Sequence, residues 1–404
     1  MRMYHSLKQF QKLPSNIEMA LISCFVLLVA VSAISSGCIG ATDDVTAGTE
    51  LVFAFMIHRH GDRTPISTTL ALVPEGDDED VLALIEPWGY GQLTDAGKRT
   101  GFKTGEFIRR RYNELLSTKY NQSEIYIRST DATRTKKTVL TAMSAVYPVT
   151  NDSWSDTINW DPVPYTTVPV KYDFNTAPAN CPLLIAAEKI ALLSEQPRMD
   201  PFAEVIEKVS NINGVNISAL PLLITGVHNV YVSLLSLGYD VNEEIMVLMP
   251  EIKAASDVAW DIIYGDDKYL SLQAGPFLNE FFTYANKVIA GDNTQRVRVY
   301  SGHDINVYSL EAITQVKPRQ GAPKYGALLS LELRRIVKTG QYVILPVYLG
   351  NPHDGQKQYL TVGGCNQLCD FDSFYDITSP YLLDVATWRD ECGFYEDMDV
   401  DSLE

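Results

Sequence analysis

The sequence predicts an α/β fold: a mostly parallel sheet flanked by helices, with a helical block inserted into it. Three observations point there. Short, β-prone apolar runs at residues 51–57, 124–127 and 297–300 each end abruptly in a polar or charged cluster. Apolar residues at helical spacing come after the second and third runs, at 132–146 and at Val307, Leu310 and Ile313. Between those two runs lies a stretch, 175–265, in which helical periodicity dominates.

Taken in order, residues 1–16 carry Arg2, Lys8 and Lys12, and residues 19–34 are apolar and uncharged before the small residues Ser35, Ser36 and Gly37. That is the pattern of a signal peptide over 1–37, with a signal anchor as the alternative because the apolar run approaches membrane-spanning length. The strand at 51–57 releases Arg59-His60-Gly61-Asp62-Arg63-Thr64-Pro65 into a loop. Thr94 caps a helix in which Gly97, Gly101 and Gly105 make a smooth stripe, expected to pack close to the sheet. Ser129, Thr130 and Asp131 are expected to cap the helix at 132–146. Helices are predicted over 183–193, 202–209, 219–237, 243–264 and 269–289, and a β-hairpin over 328–333 and 342–348 around Thr339-Gly340. The expected organisation is an α/β domain from 50–172 and 266–393, a helical cap over 173–265, and a disordered acidic tail within 394–404.

Chemistry concentrates at the ends of the three strands. An imidazole at His60 between the guanidiniums of Arg59 and Arg63 suits a tetrahedral oxyanion, because arginine offers planar bidentate donors and keeps its charge. His60 is the candidate nucleophile. The second strand ends in Arg128, and the third in Ser301-Gly302-His303-Asp304. Ligand sites of open α/β sheets lie at this edge. His58, His60, His303 and Asp304 imitate a metal set, but a cation beside three guanidiniums would be repelled, so no metal and no cofactor is expected. His58 is read as a pocket neighbour, and His228 and His353 as structural or surface residues.

Arg59-His60-Gly61-x-Arg63-x-Pro65, Arg128 and His303-Asp304, with the segments 91–97 and 126–131 between them, resemble the signature of the histidine acid phosphatases, branch 2 of the histidine phosphatase superfamily. The likeness runs from about 50 to about 393 and is nearest to its secreted, lysosomal and prostatic-type members. It implies a phosphoglycerate-mutase-like sheet with a helical cap, and hydrolysis of phosphate monoesters through a phosphohistidine. In that scheme His60 is the nucleophile, Asp304 the proton donor, and Arg59, Arg63, Arg128 and His303 the phosphate ligands. A phytase or other inositol polyphosphate phosphatase shares these motifs, but Lys189, Arg198, Lys208 and Lys253 are few cations for a highly charged ligand among the cap's many acidic residues. A lysophospholipid phosphatase and a secreted ligand-binding protein of the same fold are the remaining alternatives. Relatives often form homodimers, so a homodimer is an expected partner state.

A formal charge of −17 argues against nucleic acid as a partner. The six cysteines suit an oxidising compartment. Cys24 falls in the apolar segment and Cys38 beside the expected cleavage region, leaving four that allow three pairings. The resemblance implies Cys181 with Cys392 and Cys365 with Cys369, and the absence of a further disulfide, with Ile224 and Leu328 in the corresponding stretches. Zinc on Cys365 and Cys369 is the weaker reading, since no second pair completes a set. Sequons at Asn121, Asn151 and Asn216 fit a secreted or luminal glycoprotein, extracellular or lysosomal. No second apolar segment lies toward the C-terminus, so no stable membrane anchor is expected after cleavage.

Overall fold

Strand β1 (Thr49–Arg59) is buried on both faces, which is why its sequence is a continuous apolar run and does not alternate. The computed structural model describes residues 45–149 and 154–400. The signal segment 1–37, Cys24, Cys38 and the Asn151 sequon lie outside them. The compact unit begins at Gly48.

The chain runs from β1 to helix α1 (Asp95–Arg111), β2 (Ile125–Ser129), α2 (Thr133–Val146) and the short β3 (Thr166–Thr167). Next come the cap helices α3 (Pro182–Leu193), α4 (Ala203–Asn213), α5 (Ile224–Ser236) and α6 (Glu243–Tyr264). The chain returns through α7 (Asp267–Ala290), β4 (Val297–Gly302) and α8 (Asp304–Ile313) to β5 (Leu328–Ile336), β6 (Tyr342–Leu349), β7 (Lys357–Tyr359), β8 (Cys369–Asp370) and α9 (Val385–Cys392). The eight-stranded sheet has the order β8-β6-β5-β1-β4-β2-β3, with β7 also pairing β6. Strands β1, β4, β2 and β3 run parallel, and β5 and the strands beyond it extend the sheet antiparallel from β1.

Two cores hold this arrangement. Phe53, Phe55 and Ile57 of β1 pack with Phe277 and Phe281 of α7 and with Val307, Leu310 and Ile313 of α8. The cap has its own core of Val205, Ile206, Val209, Val227, Val230 and Ile252. That core also takes Leu70, Val73, Val81 and Ile85 from the connection after β1, a stretch that sequence pattern alone assigns to the α/β part. The cap is therefore built from the inserted block together with the connection after β1.

Three local expectations are corrected. The glycine stripe of α1 abuts α2 and the loop after β1, not the sheet: a Cβ on Gly105 would lie 2.0 Å from Ala142 O, and one on Gly97 2.0 Å from Asp62 O. No side chain caps α2, because its N-cap residue is Ala132; the Thr130 hydroxyl instead lies 2.9 Å from Thr135 Oγ1 and 3.0 Å from His303 Nε2. The tail is packed as far as it is described, with Tyr172 Oη donating to Glu396 at 2.5 Å and Met398 buried. Disulfides join Cys181 to Cys392 and Cys365 to Cys369, the pairing that the resemblance implies. No helix among the described residues is long and apolar enough to cross a membrane.

Candidate active site

The strand ends converge where β1 and β4 run side by side. His60 N–H donates to Gly302 O at 2.9 Å, and His60 O accepts from Gly326 N at 3.1 Å, so the residue is fixed on both sides as the sheet gives way to the loop. Gly61 N donates to Thr138 Oγ1 of α2 at 3.1 Å, and a Cβ at Gly61 would stand 2.1 Å from Gly97 O. Only glycine allows α1 and the loop to approach this closely. The segment before α1 pairs with the same loop, through Thr64 N to Gln92 O, Gly91 N to Pro65 O and Thr94 N to Asp62 O.

His60 Nδ1 lies 2.8 Å from Gly61 O. A carbonyl only accepts, so Nδ1 carries the proton and Nε2 keeps its lone pair. Burial, and then the charges of Arg134, Arg59, His303 and Arg63, hold the His60 pKa well below the ordinary value. A neutral, oriented imidazole is what nucleophilic attack requires. His303 stands edge-on to it, ring centres 5.7 Å apart, with Nε2 3.0 Å from Thr130 Oγ1. Its pKa is lowered to about 3 by burial and Arg134, with Asp304 pulling the other way.

Asp304 opens α8, its Oδ2 2.8 Å from Arg59 Nη2. Burial raises its pKa, but Arg59, His303 and Arg63 outweigh that and hold the carboxyl below its usual value. Arg59 also donates from Nη1 to Pro323 O at 2.7 Å, and its guanidinium lies 4.2 Å above the Tyr325 ring. Arg63 donates to Thr64 O at 2.9 Å and to Asn229 Oδ1 at 3.3 Å.

The cap meets the loop through one face of α5. Asn229 accepts from Arg63, Ser233 Oγ lies 2.9 Å from Tyr325 Oη, and Ser236 Oγ donates to Asp62 Oδ1 at 2.8 Å. These three positions share a helix face, spaced four and then three residues apart.

The structure corrects the site expected from the sequence. Arg128 does not join the histidines: it pairs with the buried Asp173, and its guanidinium lies 4.5 Å from the Phe174 ring centre. Among the arginines it is Arg134, in the first turn of α2 and buried, whose charge depresses both His60 and His303 most, ahead of Arg59 and Arg63. Its signal was available, since α2 starts directly after the second strand end and carries Thr133-Arg134-Thr135 in its first turn. His58 is fully buried, with Nδ1 3.1 Å from Arg59 O. Burial alone lowers its pKa to about 4, against that backbone contact, and no arginine contributes.

A cavity of about 300 Å³ opens beside Arg59 and Asp304, walled by His228, Trp260, Tyr325 and His353 among others. His228 and His353 therefore face the site, contrary to their reading as structural or surface residues. Burial lowers the His228 pKa to about 4, and His353 Nε2 lies 2.9 Å from Thr100 Oγ1, which donates to Asp62 Oδ2 at 2.5 Å. A larger groove of about 1080 Å³ crosses the cap but contains none of the clustered histidines or arginines.

The same strand-end cluster has relatives. A sequence profile described as histidine phosphatase superfamily (branch 2) matches residues 50–216. Bovine prostatic acid phosphatase is 28% identical over 358 residues, covering 85% of this chain and 88% of that protein. Human lysosomal acid phosphatase is 26% identical over 367 residues, covering 86% and 81%. Among solved structures, Hafnia alvei phytase in complex with tartrate superposes with a TM-score of 0.63 at 13% identity, covering 84% of this chain and 99% of that one. Citrobacter braakii phytase gives 0.63 at 14%, covering 85% and 99%. At such identities the phytases attest the fold alone.

Proposed function

We propose, from the premise that the chain belongs to the histidine acid phosphatase family, branch 2 of the histidine phosphatase superfamily, that it is a secreted acid phosphatase acting through a phosphohistidine on His60. The observation that carries this reading is the His60 imidazole, proton fixed on Nδ1 by Gly61 O, held neutral among Arg59, Arg63 and Arg134.

In the first step Nε2 attacks phosphorus while the bond to the ester oxygen breaks, and the leaving oxygen takes a proton from Asp304. In the second, water gives its proton to Asp304 and its oxygen to phosphorus, which releases phosphate and restores His60. Arg59, Arg63 and Arg134 offset the charge on the equatorial oxygens, and His303 adds a donor. Asp304 is ionised beside Arg59 in the free protein. A phosphate dianion that engages Arg59 loosens this pair and repels the carboxylate, so the donor gains its proton when substrate is bound and most readily in acid.

Broad monoester specificity is favoured over polyphosphate specificity by the charge of the cap. Arg198 pairs with Asp261, Lys208 with Glu204 and Lys253 with Asp257, and of these cations only Lys253 reaches the cavity. The buried Cys181–Cys392 disulfide and the exposed Asn121 and Asn216 support an oxidising, secretory route. Asn121 lies before the N-terminal end of β2, at the sheet end away from the site.

The test is hydrolysis of p-nitrophenyl phosphate from about pH 3 to about pH 9 in the presence of EDTA, with His60→Ala as control. Acid-optimal, chelator-resistant turnover that disappears in the variant is expected. An intact protein inert at every pH would shift the reading to a ligand-binding protein.

A further inference from the structure

Glu311 is a buried carboxylate that the proposed mechanism does not use. It lies on α8 seven residues beyond Asp304, on the same face of the helix, and its side chain is fully buried. Oε1 accepts from Gln320 N at 2.6 Å and lies 3.3 Å from Arg319 Nε, while Oε2 has no hydrogen-bond partner.

Both donors belong to the segment that forms one wall of the site. Within a few residues Ala322 N donates to Asp257 Oδ1 at 2.9 Å, and Pro323 O accepts from Arg59 Nη1 at 2.7 Å. Tyr325 then lies under the Arg59 guanidinium and 5.7 Å from the His60 ring. The segment is pinned at one end by Glu311, and at the other it fixes an arginine and an aromatic ring of the oxyanion pocket.

We propose that Glu311 is a positioning residue for that pocket, holding the segment 319–325 and through it Arg59 and Tyr325, and that it does so best with its carboxyl protonated. This rests on the phosphatase reading only in taking the pocket to bind an oxyanion. In either state Oε1 serves both N–H donors and Oε2 is left without a partner. A protonated carboxyl leaves there a neutral O–H, whereas an ionised one leaves a charged oxygen buried, the more costly of the two, which is relieved by movement of the segment or entry of water.

The surroundings do not supply the missing donor. Tyr308 on the same helix stacks with Arg319 at 4.6 Å and donates to Asp261, and Asp257 of α6 is occupied by Ala322 N and Lys253. Tyr348 of β6 is raised by burial first and then by the charge of Glu311, with Arg59 opposing and Asp257 adding. Burial lifts the Glu311 carboxyl to about 7 against Gln320 N–H and Arg319, so the change of state falls near neutrality.

Sulfate tests this, because it mimics the phosphate group and stays dianionic across the range of interest. Its affinity for the whole protein, followed by calorimetry from about pH 5 to about pH 8.5, is expected to fall about fivefold, the worth of one hydrogen bond. Glu311→Gln, neutral at every pH, is expected to lose the step near neutrality and to keep only the acid-side dependence that Asp304 contributes. Arg319→Met removes a charge that favours ionisation and is expected to move the midpoint of the step upward. A step near neutrality that Glu311→Gln leaves intact would overturn this assignment alone. No sulfate binding even at the lowest pH would overturn the oxyanion pocket itself, and this assignment with it.

Discussion

Arg59 Nη2 and Asp304 Oδ2 stand 2.8 Å apart, so the cation proposed to bind phosphate is, before substrate arrives, the counter-ion of the proposed acid. Binding and proton supply are thereby coupled, since an arriving oxyanion competes for the group that keeps Asp304 ionised. Replacement of Asp304 by Asn should consequently spare leaving groups that depart without help. Turnover of p-nitrophenyl phosphate is expected to drop little, and that of an alkyl phosphate such as glycerol phosphate by about 10²- to 10⁴-fold. Equal losses on both esters would remove Asp304 from the donor role.

The two arginines near the second strand end should separate cleanly. Arg134→Ala is expected to lower kcat by about 10²- to 10³-fold, as for loss of one donor to developing charge. Arg128→Met should act through stability. It leaves Asp173 buried without its cation, a loss of about 3 to 5 kcal/mol when that carboxyl is charged. Burial already raises Asp173 to about 6, against Arg128. A raised carboxyl costs stability as pH climbs from its unfolded value through its folded one, and removal of Arg128 steepens that loss. The melting temperature of Arg128→Met should therefore trail wild type more at pH 7.5 than at pH 5.

Neither imidazole of the site should titrate in the working range. His303 is lowered to about 3 by burial and then Arg134, with Asp304 opposing, and His60 is also held well below its ordinary value. Folding is favoured by the neutral forms at any pH above their unfolded values near ~6.5. As pH falls below that value, each lowered group costs stability until its folded pKa is reached. Nitrogen NMR of labelled imidazoles at pH 5 should report neutral rings with the His60 proton on Nδ1. A charged His60 there would contradict the nucleophile assignment.

Two alanine substitutions in α1 should differ in kind. At Gly105 the new Cβ meets Ala142 O, and at Gly97 it meets Asp62 O in the loop that carries His60. Each should cost about 1 to 3 kcal/mol through overpacking, read as a lowered melting temperature. Only Gly97→Ala should also cut kcat, by up to about 10²-fold, because it displaces the reacting group. Comparable kcat for the two variants would show that the loop absorbs the shift.

The parts of this site that are legible in the sequence are those that local pattern dictates. Leu51 through Ile57 can only be a buried strand, and the charged residues after it must leave the sheet where His60 does. Arg128 and Arg134 show where local pattern stops. Position along the strand assigns Arg128 to the site, but the direction of its side chain depends on Asp173, which comes 45 residues later. Likewise His353 reaches the cavity through Thr100, at a separation of 253 residues, and no spacing rule links them. The glycine stripe is visible in the sequence, but its partner, the backbone of α2 and of Asp62, is not. Contacts between distant segments are fixed by tertiary packing, and a single sequence does not record them.

The peptide of His60 is tied to Gly302 on one side and to Gly326 on the other. During synthesis His60 leaves the ribosome early, and the segments that fix it emerge more than two hundred residues later. Pairings of such long range are formed late, because the entropy of closing the intervening loop must be met first. On the proposed reading, the chain therefore carries this imidazole through most of its biogenesis without the arrangement that would make it a nucleophile, and acquires activity as one of the last events of folding.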